Sequence, residues 1–210
     1  YYLLLLRRIR EVFNAEVRVF LLIVAAAVAV ITVDLRLNGV INSVTGESFT
    51  LYGAIHHAAF TVSSLISTTG YATADFDLWP ALSKTVLVGV MFIGACAGST
   101  GGGIKVSRIL ILCKSIRREI EGLVHPHRVR RITMDRRVVD TDVIRSTNVY
   151  FVAYVLLFAV SVLLISFDDF DLLTNFTAVT SSLNNVGPGL SLVGPTRNFA
   201  LFSTASKVVL

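Results

Sequence analysis

The chain has 210 residues, of which 54% are hydrophobic, 16% charged and 10% aromatic, and its formal net charge is +5. A charged share well below the quarter or so usual in soluble domains, with a mean hydropathy of +0.72, excludes a disordered chain, a collagen-like repeat and a small disulfide scaffold. A nucleic-acid-binding domain, which a pI of 9.5 would otherwise suggest, is excluded because the apolar residues fall in blocks long enough to cross a bilayer.

In chain order, Tyr1-Tyr2 and four leucines precede Arg7, Arg8 and Arg10, the reverse of a signal peptide, and residues 1–16 read as the cytoplasmic tail of a preceding unit. Residues 17–33 form a first span, with Arg18 able to snorkel at its edge. Residues 49–74 carry no Asp, Glu, Lys or Arg but contain His56, His57, Ser63, Ser64, Ser67, Thr68, Thr69 and Gly70. Residues 85–104 form a further apolar stretch, interrupted by Gly98, Ser99, Thr100, Gly101, Gly102 and Gly103 before Lys105. A basic linker over 114–146 follows, rich in Arg and beginning at Lys114. Residues 148–167 make the next span, and 172–196 an uncharged stretch rich in Ser, Thr, Asn, Gly and Pro. Cys96 and Cys113 sit in apolar surroundings without metal-ligand spacing and read as buried free thiols.

Charge orients these pieces. The basic regions lie on the cytoplasmic side by the positive-inside rule, and the loops holding Asp34, Glu47, Asp75, Asp77, Asp168, Asp169 and Asp171 face out, where they would concentrate cations. Three apolar stretches lie between the two basic regions, yet the number of full crossings there must be even. One stretch therefore enters and leaves on the same side. The polar residues of 49–74 make it the re-entrant one, a short helix near 51–66 followed by an extended return. Irregular backbone at membrane depth is tolerated only inside protein or beside a watery cavity, which points to a pore.

The plan then repeats. Phe60-Thr61 and Ser63-Ser64-Leu65 before Gly70 correspond to Phe176-Thr177 and Ser181-Ser182-Leu183 before Gly187, and Ser83-Lys84 corresponds to Ser206-Lys207. The predicted fold is an all-α membrane protein of tandem span, re-entrant pore-helix, span units. Residues 17–113 form one unit, 114–146 the cytoplasmic linker, and 147–210 a second unit that stops as its last helix begins. Two such units make half of a fourfold pore, so two more units are expected upstream and about one helix downstream.

A dehydrated monovalent cation needs several oxygens at close range, and consecutive backbone carbonyls supply them in a Thr-Val-Gly-Tyr-Gly filter. Thr68-Thr69-Gly70-Tyr71 meets that demand at the C-terminal end of a short helix, whose dipole is negative there. Asn185-Val186-Gly187 is its counterpart, with Pro188 and Gly189 stiffening the exit. The glycine run cannot hold a helix, and it lacks the Gly-Lys-Ser/Thr of a phosphate-binding loop. It reads as a flexible, unwound loop in a cavity below the filter, with Lys105 either facing water or a carbonyl cluster there or marking the cytoplasmic membrane edge. His56 and His57 read as structural hydrogen-bonding residues, and no catalytic constellation is present, so the chain is not read as an enzyme. A membrane enzyme using the two histidines, and a non-conducting scaffold or regulatory subunit that binds a cytosolic partner through the basic linker, are the alternatives.

Ser67-Thr68-Thr69-Gly70-Tyr71, the run from Ala97 to Val106 and Asn184-Asn185-Val186-Gly187-Pro188-Gly189 resemble the Trk/Ktr/HKT superfamily of potassium transporters, in particular TrkH/KtrB-type membrane subunits. Their order and spacing match the family's third and fourth pore units. The resemblance implies a pseudo-fourfold pore carrying K⁺, with Na⁺ as the alternative ion and no covalently bound cofactor. It also implies filter carbonyls at Thr68, Thr69, Gly70, Asn185, Val186 and Gly187, supported by Tyr71, Pro188 and Gly189. Gly98, Ser99, Thr100, Gly101, Gly102, Gly103 and Lys105 would form a gating loop. A homodimer in a prokaryotic plasma (inner) membrane, paired with a cytosolic TrkA/KtrA-like nucleotide-binding subunit and with no nucleic-acid partner, completes the expectation. Tyr71 departs from the phenylalanine that often ends the family's filter.

Overall fold

Apolar length and helix caps set the first elements. In the computed structural model, which describes residues 14–41, 46, 48–124, 132–135 and 137–210, helix α1 runs over Ala15–Leu37. The tail expected over residues 1–13 lies outside the described residues, as do Glu47 and Arg128, Arg130, Arg131 and Arg136 of the linker. Asn14 caps α1 by accepting from the Val17 N–H at 2.9 Å. At 1.5 Å per residue, the 23 residues of α1 are about 35 Å long, enough to cross a bilayer core of about 30 Å.

Helix α2 (Leu51–Ile66) is capped by Thr50 and measures only about 24 Å. That is too short to span, as the re-entrant reading requires. Its buried positions Ala54, Ala58, Val62 and Leu65 recur at helical spacing and pack on Ala27, Ile31 and Leu35 of α1. Alanines at this seam let the backbones approach closely.

Helix α3 (Ala81–Phe92) then breaks. Two short strands, β1 (Ile93–Gly94) and β2 (Ile104–Lys105), pair in parallel with Ile93 opposite Ile104 and Gly94 opposite Lys105, closing the glycine-rich run into a loop. The helix resumes as α4 (Val106–Val124). It runs on through Lys114, Arg117 and Arg118, because Arg, Lys and Glu are good helix formers. Cys113 is exposed on α4 rather than buried, since α4 covers only one face; Cys96 is half-buried, and both are free thiols.

A small antiparallel hairpin, β3 (Thr133–Met134) with β4 (Arg137–Val138), follows. Ile132 packs with Ile111 of α4 and Ile144 of helix α5 (Thr141–Ile165), so the start of the hairpin joins both helices. Helix α5 is about 38 Å long and leaves Val149, Leu156 and Leu163 exposed. Only 22% of the most apolar window of α1 and 11% of that of α5 are buried within the protein, so these are not core helices of a soluble domain. Bilayer lipid is the environment that suits them. Helix α6 (Leu172–Leu183), about 18 Å long, repeats α2, and helix α7 (Thr204–Val209) starts where α3 starts in the first copy.

Candidate ion-conduction site

The two short helices end in the same way. After α2, Ser67 N–H donates to the Ser63 carbonyl at 3.1 Å, Thr68 N–H to Leu65 at 3.1 Å and Thr69 N–H to Ser64 at 2.9 Å. After α6, Asn184 N–H donates to Thr180 at 3.2 Å, Asn185 N–H to Ser182 at 3.1 Å and Val186 N–H to Ser181 at 2.9 Å. The chain offset is constant across all three pairs. Both loops then place alternate residues in the left-handed region: Thr68 (φ +57°) and Gly70 (φ +76°) in one, Asn185 (φ +53°) and Gly187 (φ +110°) in the other. A β-branched residue pays about 1–2 kcal/mol for such a conformation, and strain of this kind collects at functional sites. The two loops therefore share one backbone conformation.

The loops meet. A Cβ on Gly70 would stand 2.4 Å from the Val186 carbonyl oxygen and 3.1 Å from Pro188 Cδ, so only glycine fits there. Gly189 lies close against Val193 and Thr177, and its N–H donates to the Val193 carbonyl at 2.7 Å. The Thr177 hydroxyl, wholly buried in α6, accepts from Leu190 N–H at 3.0 Å and donates to the Leu173 carbonyl at 2.8 Å, bracing the return segment. Tyr154 of α5 donates its hydroxyl to Asn184 Oδ1 at 2.9 Å. Tyr71 is 71% exposed and forms no part of this packing.

The glycine-rich loop seats against the base of both turns. A Cβ on Gly102 would fall 1.9 Å from the Asn184 carbonyl oxygen, and one on Gly101 would fall 3.2 Å from Thr68 Oγ1. Gly98 and Thr100, by contrast, lie on the open side: Gly98 has no atom near its Cβ position and Thr100 is exposed. Lys105 Nζ reaches back into the loop and donates to the Gly101 carbonyl (2.5 Å), the Ser99 hydroxyl (2.8 Å) and the Ser99 carbonyl (3.1 Å). The ammonium group thus sits among loop oxygens, two of them backbone carbonyls. All three ammonium protons have acceptors. His57 is hydrogen-bonded through Nδ1 to Thr73 Oγ1 at 2.9 Å, while His56 stacks on Tyr52. No group of three His, Cys, Asp or Glu side chains suited to a metal occurs among the described residues.

Comparison with known proteins places the chain in a family. The family model TrkH, described as a cation transport protein, matches residues 6–210. The chain belongs to the TrkH family. Members of this family are ion transporters, not enzymes. The TrkH-family chain is 40% identical over 156 residues to the Trk system potassium uptake protein TrkH of Salmonella typhimurium, a match covering 74% of this chain and 32% of that protein. It is 35% identical over 185 residues to TrkH of Halomonas elongata, covering 88% and 37% respectively. The crystal structure of the potassium transporter TrkH from Vibrio parahaemolyticus superposes with a TM-score of 0.78 at 34% identity, over 93% of this chain and 40% of that one. The chain thus spans about a third of the length of the curated relatives it matches.

Several residues of this TrkH-family chain matter to the site yet carry no motif. Asp34, buried at the end of α1, accepts from the N–H and hydroxyl of Ser83 at 2.9 and 2.6 Å, capping α3 in place of Pro80, which makes no side-chain cap. Asp168 accepts from Ser203 N–H at 2.9 Å just before α7, and Ser203 itself caps that helix by accepting from Ser206 N–H at 3.2 Å. Lys84 donates to the Asp77 carbonyl and Lys207 to the Ala200 carbonyl, a further matched pair. Asp77 and Asp75 accept from Ser191 N–H (2.9 Å) and the Thr196 hydroxyl (3.2 Å), tying the first unit to the return segment of the second. These carboxylates, expected only to attract cations, are also structural ties. Glu16, assigned by sequence to a tail, is buried and accepts from Ala97 N–H at 2.6 Å and Ser107 N–H at 3.2 Å. Its only signal in the sequence is a carboxylate in the first turn of a span, which normally marks a helix dipole.

Proposed function

We propose that this chain forms the third and fourth pore units of a potassium uptake transporter. Carbonyls of Thr68, Thr69, Gly70, Asn185, Val186 and Gly187 contribute half of a K⁺-selective filter, supported by Pro188 and Gly189, while Tyr71 is left exposed rather than packed against it. The loop from Gly98 to Lys105 gates ion flow next to it. One observation carries the reading: two loops with the same hydrogen-bond pattern and alternate left-handed residues meet at Gly70 and Val186, with a glycine-rich loop seated on both. Short helices whose C-terminal ends lead into these loops add a negative potential where a cation would sit. The potassium uptake named for the Salmonella and Halomonas relatives supports the choice of ion.

Residues 17–113 and 147–210 are the two units, and residues 114–146 connect them in the cytoplasm. Two further units complete the ring, and the exposed Tyr52, Phe60 and Tyr71 beside the first loop offer them an apolar surface. The subunit works as a homodimer in the plasma membrane of a prokaryote with a cytosolic nucleotide-binding partner of the TrkA/KtrA type.

The test is rescue of growth at low external K⁺ in cells lacking K⁺ uptake, using a four-unit subunit that contains this sequence. Gly70→Asp or Gly187→Asp should abolish uptake while leaving the protein in the membrane. Undiminished uptake in both variants would refute the filter. Normal membrane insertion with no uptake by the unaltered subunit would favour a non-conducting scaffold.

A further inference from the structure

We propose that Glu16 is the positioning residue that holds the glycine-rich loop in its seat, an inference that rests on the gating reading above. Where the helix breaks between Phe92 and Val106, backbone N–H groups lose their partners four residues earlier. Ser107, in the first turn of α4, is one of these, and Ala97 lies inside the loop. Both donate to the same atom, Glu16 Oε1, at 3.2 and 2.6 Å. Two ends of the loop are thereby drawn onto one oxygen that belongs to neither, but to α1.

Burial and charge make this contact strong. Glu16 is only 8% exposed, and a buried carboxylate requires donors. Hydrogen bonds to an ionised carboxylate are roughly twice as strong as neutral ones. The α4 N-terminus adds a favourable dipole. The point of attachment is itself fixed, because Asn14 caps α1 and Ala15 N–H donates to Asp135 Oδ1 at 2.9 Å in the hairpin turn. Lys105 then stiffens the middle of the loop through Ser99 and Gly101, and Gly101 and Gly102 abut Thr68 and Asn184. A continuous path runs from Glu16 through the loop ends to the base of both filter turns. Releasing the carboxylate frees the ends and lets the crest leave its seat.

The experiment uses the four-unit subunit in proteoliposomes without its cytosolic partner, reading radioactive rubidium flux and the limiting rate at which a thiol reagent labels Cys96, as the only cysteine, at a pH high enough to ionise it fully, so that the Glu16 charge acting on the thiol does not enter the comparison. Glu16→Ala should raise both about tenfold or more. Glu16→Gln keeps an acceptor oxygen without the charge and should raise both only about two- to threefold. In a subunit lacking residues 98–103, Glu16→Ala should add nothing to the flux. Unchanged labelling and flux in folded Glu16→Ala would overturn the proposal, as would a glutamine variant indistinguishable from alanine. Should alanine prevent assembly, unchanged labelling in Glu16→Gln overturns it alone. If the loop deletion fails to raise flux while Cys96 labelling still responds to Glu16, the gating reading fails and the anchoring of the loop stands.

Discussion

Replacing Gly70 by alanine adds one methyl group at a residue with φ +76°, where a Cβ would stand 2.4 Å from the Val186 carbonyl oxygen. Ordinary carbon-oxygen contact begins about 1 Å further out, so one of the two loops must retreat by roughly that distance. The left-handed conformation costs an L-residue a further 1–2 kcal/mol or so. Pro188, whose Cδ would lie 3.1 Å from the new methyl, blocks the easiest sideways escape. The displaced group is a proposed ion ligand, and oxygens that have moved by about 1 Å no longer replace a hydration shell of fixed radius. Rubidium uptake by Gly70→Ala should therefore fall at least about tenfold, which corresponds to only about 1.4 kcal/mol. Preference for K⁺ over Na⁺ should weaken with it. Gly89→Ala is the matched control: Gly89 lies in α3 with nothing near its Cβ position, and alanine is the better helix former. Wild-type uptake and ion preference in Gly70→Ala, with the protein in the membrane, would refute the reasoning from close approach.

Lys105→Met removes three donors from the loop and should raise partner-independent flux several-fold, measured in the same vesicles, without altering ion preference. Asp34→Ala leaves the N–H and hydroxyl of Ser83 unpaired in a buried setting and should destabilise the protein by about 1–3 kcal/mol, seen as a lower Tm in detergent. Asp34→Asn, which keeps an acceptor, should fall between. Thr177→Val orphans Leu190 N–H at a cost of about 1–3 kcal/mol, whereas Thr177→Ser should restore most of the Tm; equal losses in both would show that the hydroxyl does not brace the return segment.

Much of the architecture is legible in the sequence alone. The uncharged but polar stretch after the first span, together with the parity of crossings, located the short helix at Leu51–Ile66. Glycine density located the break between α3 and α4, since a run of glycines cannot sustain helical hydrogen bonding in competition with its own entropy. The extent of α4 was less clear. Its arginines read as linker by charge, but they are also good helix formers, and the helix continues to Val124.

Local composition determined which segments are apolar, which are broken and which repeat, because those properties depend on neighbours a few residues apart. Tertiary structure alone decided which residues do the holding. Gly98 and Gly102 are the same residue four positions apart in one loop, yet one faces open space and the other would collide with Asn184. Glu16 and Asp34 are both carboxylates near the ends of one helix, and only folding shows that one clamps the glycine-rich loop and the other caps α3. Their partners lie far away in sequence. A hydrogen bond has no sequence signature when its two ends are brought together by the packing of helices.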